Sequence, residues 1–217
     1  MDIKNHNKNI LKGYNMLLYF TGSMIMNKPS KECITDFWAE GILKNLPVSS
    51  SNPNFIKAAS LLRDSCEDST VCEKKLCDDF TRLFDRDELS LAPPFESYFR
   101  IKKYSESENQ LFSVTEFYKS YGWESQYLGN LMDDHLGTEL LFLTRLIEKY
   151  TVFDDEVCLA EMRSEIRRFI KTHLLSWIYE WNNYVQEYSE TTCFKGIAAL
   201  VIACTEDIYA LLNRNQF

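Results

Sequence analysis

The chain has 217 residues, of which 45% are apolar and 14% aromatic, and its formal charge at neutral pH is −8, from 32 acidic and 24 basic side chains. We expect a single domain spanning residues 1–217, because one large helical unit is the simplest reading of this length. The negative charge argues against a nucleic-acid-binding protein, which needs a basic surface, and is compatible with attraction of a basic peptide.

Seven glycines and five prolines are few for this length, which favours long helices with short connections over a turn-rich sheet protein. We predict an all-α fold, a single-domain bundle of about nine to eleven helices. In chain order, helical periodicity predicts helices over Ile10–Met26, a segment from Pro29 through Ile42, Phe55–Arg63, Val71–Phe84, Val114–Tyr121 (ending at Gly122), Glu156–Tyr188 with a bend near residues 171–173, and Phe194–Leu212.

Cysteine spacing and hydropathy limit the chemistry and the compartment. The seven cysteines include no C-x-x-C pair, and the three histidines are far apart in sequence, so we predict no zinc site and free, mostly buried thiols in a reducing cytosol. The polar start does not resemble a signal peptide. The longest apolar run, Ile197–Cys204, is far below the roughly 20 residues that span a bilayer. These features predict a cytoplasmic protein without stable membrane insertion.

The most distinctive predicted helix is Asn130–Lys149, with Asn130 as its N-cap. Asp133 and Asp134 would then lie in the first turn, where the helix dipole favours carboxylates. One face of this helix is apolar at helical spacing, through Leu136, Leu140, Leu143 and Ile147.

His135 and Glu139 lie four residues apart at the edge of that apolar face. They either tie the helix end to a neighbouring element or belong to a recognition site. Two metal ligands at this spacing are too few without a third and a fourth nearby, so we predict no metal. Asp133 or Asp134 beside His135 would make an acid–base pair, but no nucleophile or phosphate-cradling glycine loop accompanies it, so we predict neither an enzyme nor a cofactor.

Four segments, in order, resemble the TorD/DmsD family of redox-enzyme maturation chaperones, over roughly residues 71–200. They are LFDRDELSLAPPFESYF (83–99), VTEFYKSYGW (114–123), MDDHLGTELLFLTRL (132–146) and FIKTHLLSWIYEW (169–181).

The resemblance implies an all-helical cytoplasmic chaperone that binds the apo-form or the twin-arginine leader of a molybdopterin oxidoreductase of the dimethyl-sulfoxide-reductase type. The partner would be held back from export until its cofactor is inserted. The implied peptide-binding residues are Asp134, His135 and Glu139 of the helix motif, with Asp133 as a further acid, and Pro93, Pro94, Phe95 and Ser97 of the proline loop.

One departure from the family pattern is that Leu131-Met132 stands where the family usually has Glu-Pro. Without that proline we expect either a more flexible preceding turn or an earlier start of the central helix, as the Asn130 cap suggests. We place the expected groove between Pro93–Phe99 and the start of the central helix, with His135 holding the two together. The other reading of the proline loop is that it only turns the chain and leaves Phe95 in the core.

Two other functions stay open on the sequence. One is a small-molecule or nucleotide-binding helical protein or enzyme that uses Asp134, His135 and Glu139. The other is a helical transcription regulator, which the absence of a basic surface pattern over Asp2–Ile42 disfavours. A monomer and a helix-exchanged dimer are both compatible with the sequence.

Overall fold

The computed structural model describes residues 3–30, 32, 45–63, 65, 69–85, 89–100, 113–124 and 133–213. Within these ranges the chain forms nine α-helices, a π-helical turn and no strand, which confirms the predicted all-α bundle. The helices are α1 (Ile3–Met26), α2 (Pro53–Arg63), α3 (Ser69–Phe84), α4 (Glu96–Arg100), α5 (Val114–Ser120), α6 (Leu136–Val152), α7 (Glu156–Phe169), α8 (Ile178–Tyr188) and α9 (Thr192–Asn213), with the π-helical turn at Ile170–Leu174.

Most predicted helices occur close to their expected bounds, and α1 begins seven residues earlier, at Ile3 instead of Ile10. The predicted bend in the long segment is real, because the π-helical turn separates α7 from α8. Gly122 has a φ of 59°, the left-handed conformation that favours glycine after a helix. The predicted helix through Ile42 falls largely outside the described residues.

The predicted start of the central helix was wrong. Helix α6 begins at Leu136 instead of near Asn130, and its N-cap is His135, whose extended backbone has φ −73° and ψ 132°. Asp133 and Asp134 form the turn before the helix. The His135 side chain supplies the capping acceptor that we had assigned to Asn130, so the acid inside the first turn of α6 is Glu139.

Helix α9 lies at the centre of the bundle and packs against α1, α2, α7 and α8. It is the one helix among the described residues that is long and apolar enough to cross a membrane, and 67% of its apolar window is buried inside the protein. Helix α1 runs antiparallel to α6, with Gly22 near Gly137 at one end and the Lys8 ammonium 2.6 Å from the Phe153 carbonyl oxygen at the other. This pairing holds the start of α6 against α1.

Close packing of α2 on α9 depends on Gly196. A Cβ atom at this position would lie 2.8 Å from Cγ of Leu62 and 3.2 Å from Cβ of Leu61. We expect Gly196→Val to lower the free energy of unfolding by about 2–3 kcal/mol, because overpacking a buried helix contact forces side chains and backbone apart. Urea unfolding measures the change. Ala210→Val, on the exposed side of the same helix, should change stability much less, and equal losses in the two variants would contradict this account.

The prediction of free, mostly buried thiols was wrong in two respects. Cys72 is disulfide-bonded, whereas Cys77, Cys158, Cys193 and Cys204 are free. Among the free thiols of the described residues, Cys193 and Cys204 are buried, Cys77 is half-buried and Cys158 is exposed. Spacing along the chain excluded a zinc knuckle but carried no information on which sulfur atoms meet in the fold.

Candidate functional site

The proline loop and the start of α6 are joined directly. Phe95 and His135 form an isolated antiparallel bridge, in which the Glu96 N–H donates to the Asp134 carbonyl oxygen at 3.0 Å and the Leu136 N–H donates to the Pro94 carbonyl oxygen at 2.8 Å. We call residues 94–97 together with residues 134–136 the clasp. It brings together two motifs that are far apart in the sequence.

Side chains reinforce the clasp at both ends. The Ser97 N–H donates to Asp134 Oδ2 at 2.9 Å. The rings of Phe95 and His135 meet edge to face, with centroids 5.2 Å apart. Nδ1 of His135 accepts the Gly137 N–H at 3.0 Å, which requires an unprotonated Nδ1. His135 is only 3% exposed, so its side chain lies inside the contact between the two segments.

Beneath the clasp lies a buried ionic group. Glu96 is buried, and its two carboxylate oxygens face different partners: Oε1 accepts from Nη1 of Arg100 at 2.7 Å, and Oε2 lies 3.1 Å from Nδ1 of His173. His173 belongs to the π-helical turn, and its carbonyl oxygen accepts the indole N–H of Trp177. The group therefore ties α4 to the turn between α7 and α8.

Glu139 lies in the same interior with no exposed surface. Neither of its carboxyl oxygens has a hydrogen-bond partner among the described residues. Burial, followed by the nearby carboxyl groups of Glu96 and Asp134, raises the pKa of Glu139 well above its ordinary value. Burial and the same acids also raise the pKa of the Tyr118 hydroxyl. Each of these shifts favours the uncharged form of the group concerned.

The accessible part of the site is the outer side of the clasp. Asp133, Asp134 and Phe95 are half-buried, and Ser97 is exposed. Asp133 Oδ2 accepts from the Thr115 hydroxyl at 2.9 Å, which fixes this carboxylate on α5. The structure therefore places all eight predicted residues in or next to the clasp, but three of them are buried, namely Pro94, His135 and Glu139.

Among the described residues, a concavity lies beside the start of α6, on the side of this helix that faces α1. Pro93–Phe99 and the start of α6 contact each other through the clasp, whereas a pocket of about 180 Å³ opens between α1 and α6. Tyr19 and Met26 line it from α1, and Gly137 and Leu141 line it from α6. Tyr19 is 58% exposed, so the pocket has an apolar rim at the surface.

Glu96, Arg100 and His173 were not among the residues predicted for the site. Glu96 and Arg100 are four residues apart, the spacing of a helical ion pair, and that signal was available in the sequence. The contact between Glu96 and His173 joins residues far apart in the chain and had no local signal. Among the described residues, no group of three or more His, Cys, Asp or Glu side chains is arranged to hold a metal ion.

A family model described as nitrate reductase delta subunit matches residues 51–183, more than half of the chain. The chain belongs to this family. The match covers both halves of the clasp and confirms the resemblance to the TorD/DmsD maturation chaperones. Membership of the nitrate reductase delta subunit family implies a molybdoenzyme maturation chaperone instead of a catalyst, with a molybdoenzyme subunit as its partner. No curated protein matches the sequence.

Proposed function

We propose that this chain is a single-domain cytoplasmic chaperone that binds the apo-form or the twin-arginine leader of a molybdopterin oxidoreductase before export. The observation that carries the proposal is the clasp, in which the two most distinctive family motifs meet at one surface. A bundle of this size does not need such a junction for its core, and the half-buried acids beside it suit a basic polypeptide.

The free energies of typical contacts indicate how much of the binding comes from charged pairs and how much from apolar burial. An exposed carboxylate–arginine pair contributes about 0–1 kcal/mol, whereas burial of one leucine-sized side chain contributes roughly 1.5–3 kcal/mol. Micromolar binding requires about −8 kcal/mol. We therefore assign most of the affinity to apolar side chains of the partner in the pocket between α1 and α6, and assign orientation and association rate to Asp133 and Asp134.

Leu141→Ser is expected to weaken binding of a leader-like peptide, an arginine pair followed by an apolar stretch, by about tenfold or more, because it removes apolar surface from the pocket. Isothermal titration calorimetry measures the dissociation constant. Val152→Ser, on an exposed residue of the same helix, is the matched control and should bind normally. An unchanged affinity of a folded Leu141→Ser protein would remove the pocket from the proposal.

Asp134→Asn is expected to reduce affinity for the same peptide by at most about fivefold, with a slower association rate at low salt. Asparagine keeps an oxygen for the Ser97 N–H and removes only the charge. The comparison that isolates the arginines is a second peptide with glutamines in their place. If the substitution lowers the affinity for both peptides equally, Asp134 acts through the structure of the clasp and does not recognise the arginine side chains.

The partner itself can be identified by purification of the tagged chain from anaerobically grown cells, followed by mass spectrometry. We expect a molybdopterin oxidoreductase subunit that still carries its leader and lacks its cofactor. Recovery of only the mature, cofactor-loaded enzyme would contradict a role before export.

A further inference from the structure

The carboxyl of Glu139 is buried inside the bundle without an ion-pair partner among the described residues. Its oxygens have no hydrogen-bond partner among the described residues, although the side chain is completely buried. An unpaired buried carboxyl destabilises the state that buries it, so its position needs a reason. Glu139 lies in the first turn of α6, directly after the clasp, and its carboxyl is close to that of Glu96, a clasp residue.

The titratable and charged groups around Glu139 come from every element packed against it. They are Glu96 and Arg100 of α4, Tyr118 of α5, Asp133, Asp134 and His135 of the turn before α6, and His173 of the π-helical turn. Both Arg100 and His173 already contact the carboxylate of Glu96. Ionisation of Glu139 in the closed form would thus add a further negative charge next to the carboxyl groups of Glu96 and Asp134, away from water.

We propose that the clasp is a proton-linked latch: it closes over a protonated Glu139, and when it opens Glu139 meets water and loses its proton to the solvent. Closing is then favoured at low pH and opening at high pH. The sign follows because the closed form binds one more proton than the open form over the range between the two pKa values of this carboxyl.

The use of the latch rests on the proposed function. A partner that binds the open clasp would release one proton from Glu139, so its affinity would increase with pH. The latch itself exists without a partner, however, and is tested on the free chain. A failure of leader binding would therefore leave the latch intact, and a failure of the latch would leave leader binding intact.

The test is amide hydrogen exchange of the full-length protein between pH 5.5 and 8.5, with rates corrected for the pH dependence of chemical exchange. The reporters are the three clasp N–H groups of Glu96, Ser97 and Leu136. In the wild type we expect their protection factors to fall by close to tenfold per pH unit while Glu139 is protonated in the closed form. In Glu139→Gln the protection should be higher and independent of pH.

Glu148→Gln, an exposed position on the same helix, is the control and should reproduce the wild-type pH dependence. A pH dependence that persists unchanged in Glu139→Gln would assign it to His135 or His173 and overturn the proposal. The wild type alone is also decisive: pH-independent protection of the three clasp amides over this range would overturn the latch even if the glutamine variant did not fold.

Discussion

Replacing Phe142 by alanine is expected to lower the free energy of unfolding by about 3–5 kcal/mol, the usual cost of emptying a buried phenylalanine site. Phe142 is 1% exposed. It lies at the centre of an aromatic cluster, with ring centroids 4.7–5.9 Å away on Phe117, Tyr118, Tyr121, Trp123 and Phe169. These rings come from α5, the residues after it and α7, so one cavity would loosen three elements at once.

Urea unfolding at neutral pH measures this loss. Phe142→Leu keeps most of the apolar volume and should lose less than half as much, whereas Val157→Ala, at an exposed position on α7, should stay close to the wild type. Since small domains are stable by only about 5–15 kcal/mol, the alanine variant should also unfold at clearly lower temperature. A loss below about 1 kcal/mol would show that the cluster rearranges to fill the space.

The helices were largely predictable because their signals are local. The apolar spacing of α6 and the bend near residues 171–173 depend on residues within a few turns of each other, and the structure has both where the pattern indicated. The start of α6 was not predictable from the sequence, because two capping signals competed there. Asn130 has the better intrinsic preference, but Asp134 is bonded to the proline loop through its carbonyl oxygen and its carboxylate, which keeps the turn out of the helix.

The candidate site also combines features that the sequence predicts with features that only the assembled fold determines. Family motifs pointed to the two segments that form the clasp, but not to Glu96 within it, and the expectation that the segments belong to one site came from the resemblance instead of from periodicity. Burial, by contrast, is a property of the assembled bundle. No local pattern separates Asp134, which is half-buried, from Glu139, which is completely buried, because the difference depends on how α4 and the π-helical turn pack over α6. The pocket beside Gly137 likewise depends on the approach of α1.

Asp79→Ala is expected to lower the free energy of unfolding by about 3–4 kcal/mol at neutral pH, as measured by urea unfolding. Asp79 is 2% exposed and lies on α3. Its carboxylate accepts hydrogen bonds from the hydroxyls of Ser189 and Thr191, from the backbone N–H groups of Glu190 and Thr191, and from Arg82. It therefore holds the turn between α8 and α9 against α3, and alanine would leave the buried Ser189 hydroxyl and the part-buried donors of Glu190 and Thr191 without this acceptor. Asp78→Ala, on the neighbouring exposed residue, is the control.

The effect of Asp79 should depend on pH in a defined direction. Burial alone would raise the pKa of this carboxyl, but the hydrogen bonds from Ser189, Thr191, Arg82 and the Glu190 N–H outweigh burial and lower it. A lowered pKa in the folded state means that the carboxylate stabilises the fold above its ordinary pKa of about 3.9, and that this contribution is lost as the pH falls through the folded value. The stability difference between the wild type and Asp79→Ala should thus be constant from pH 8 to pH 5 and should shrink below pH 4. A difference that grows on acidification would mean that the folded state binds the proton more tightly than the unfolded state, and that burial outweighs the hydrogen bonds at this turn.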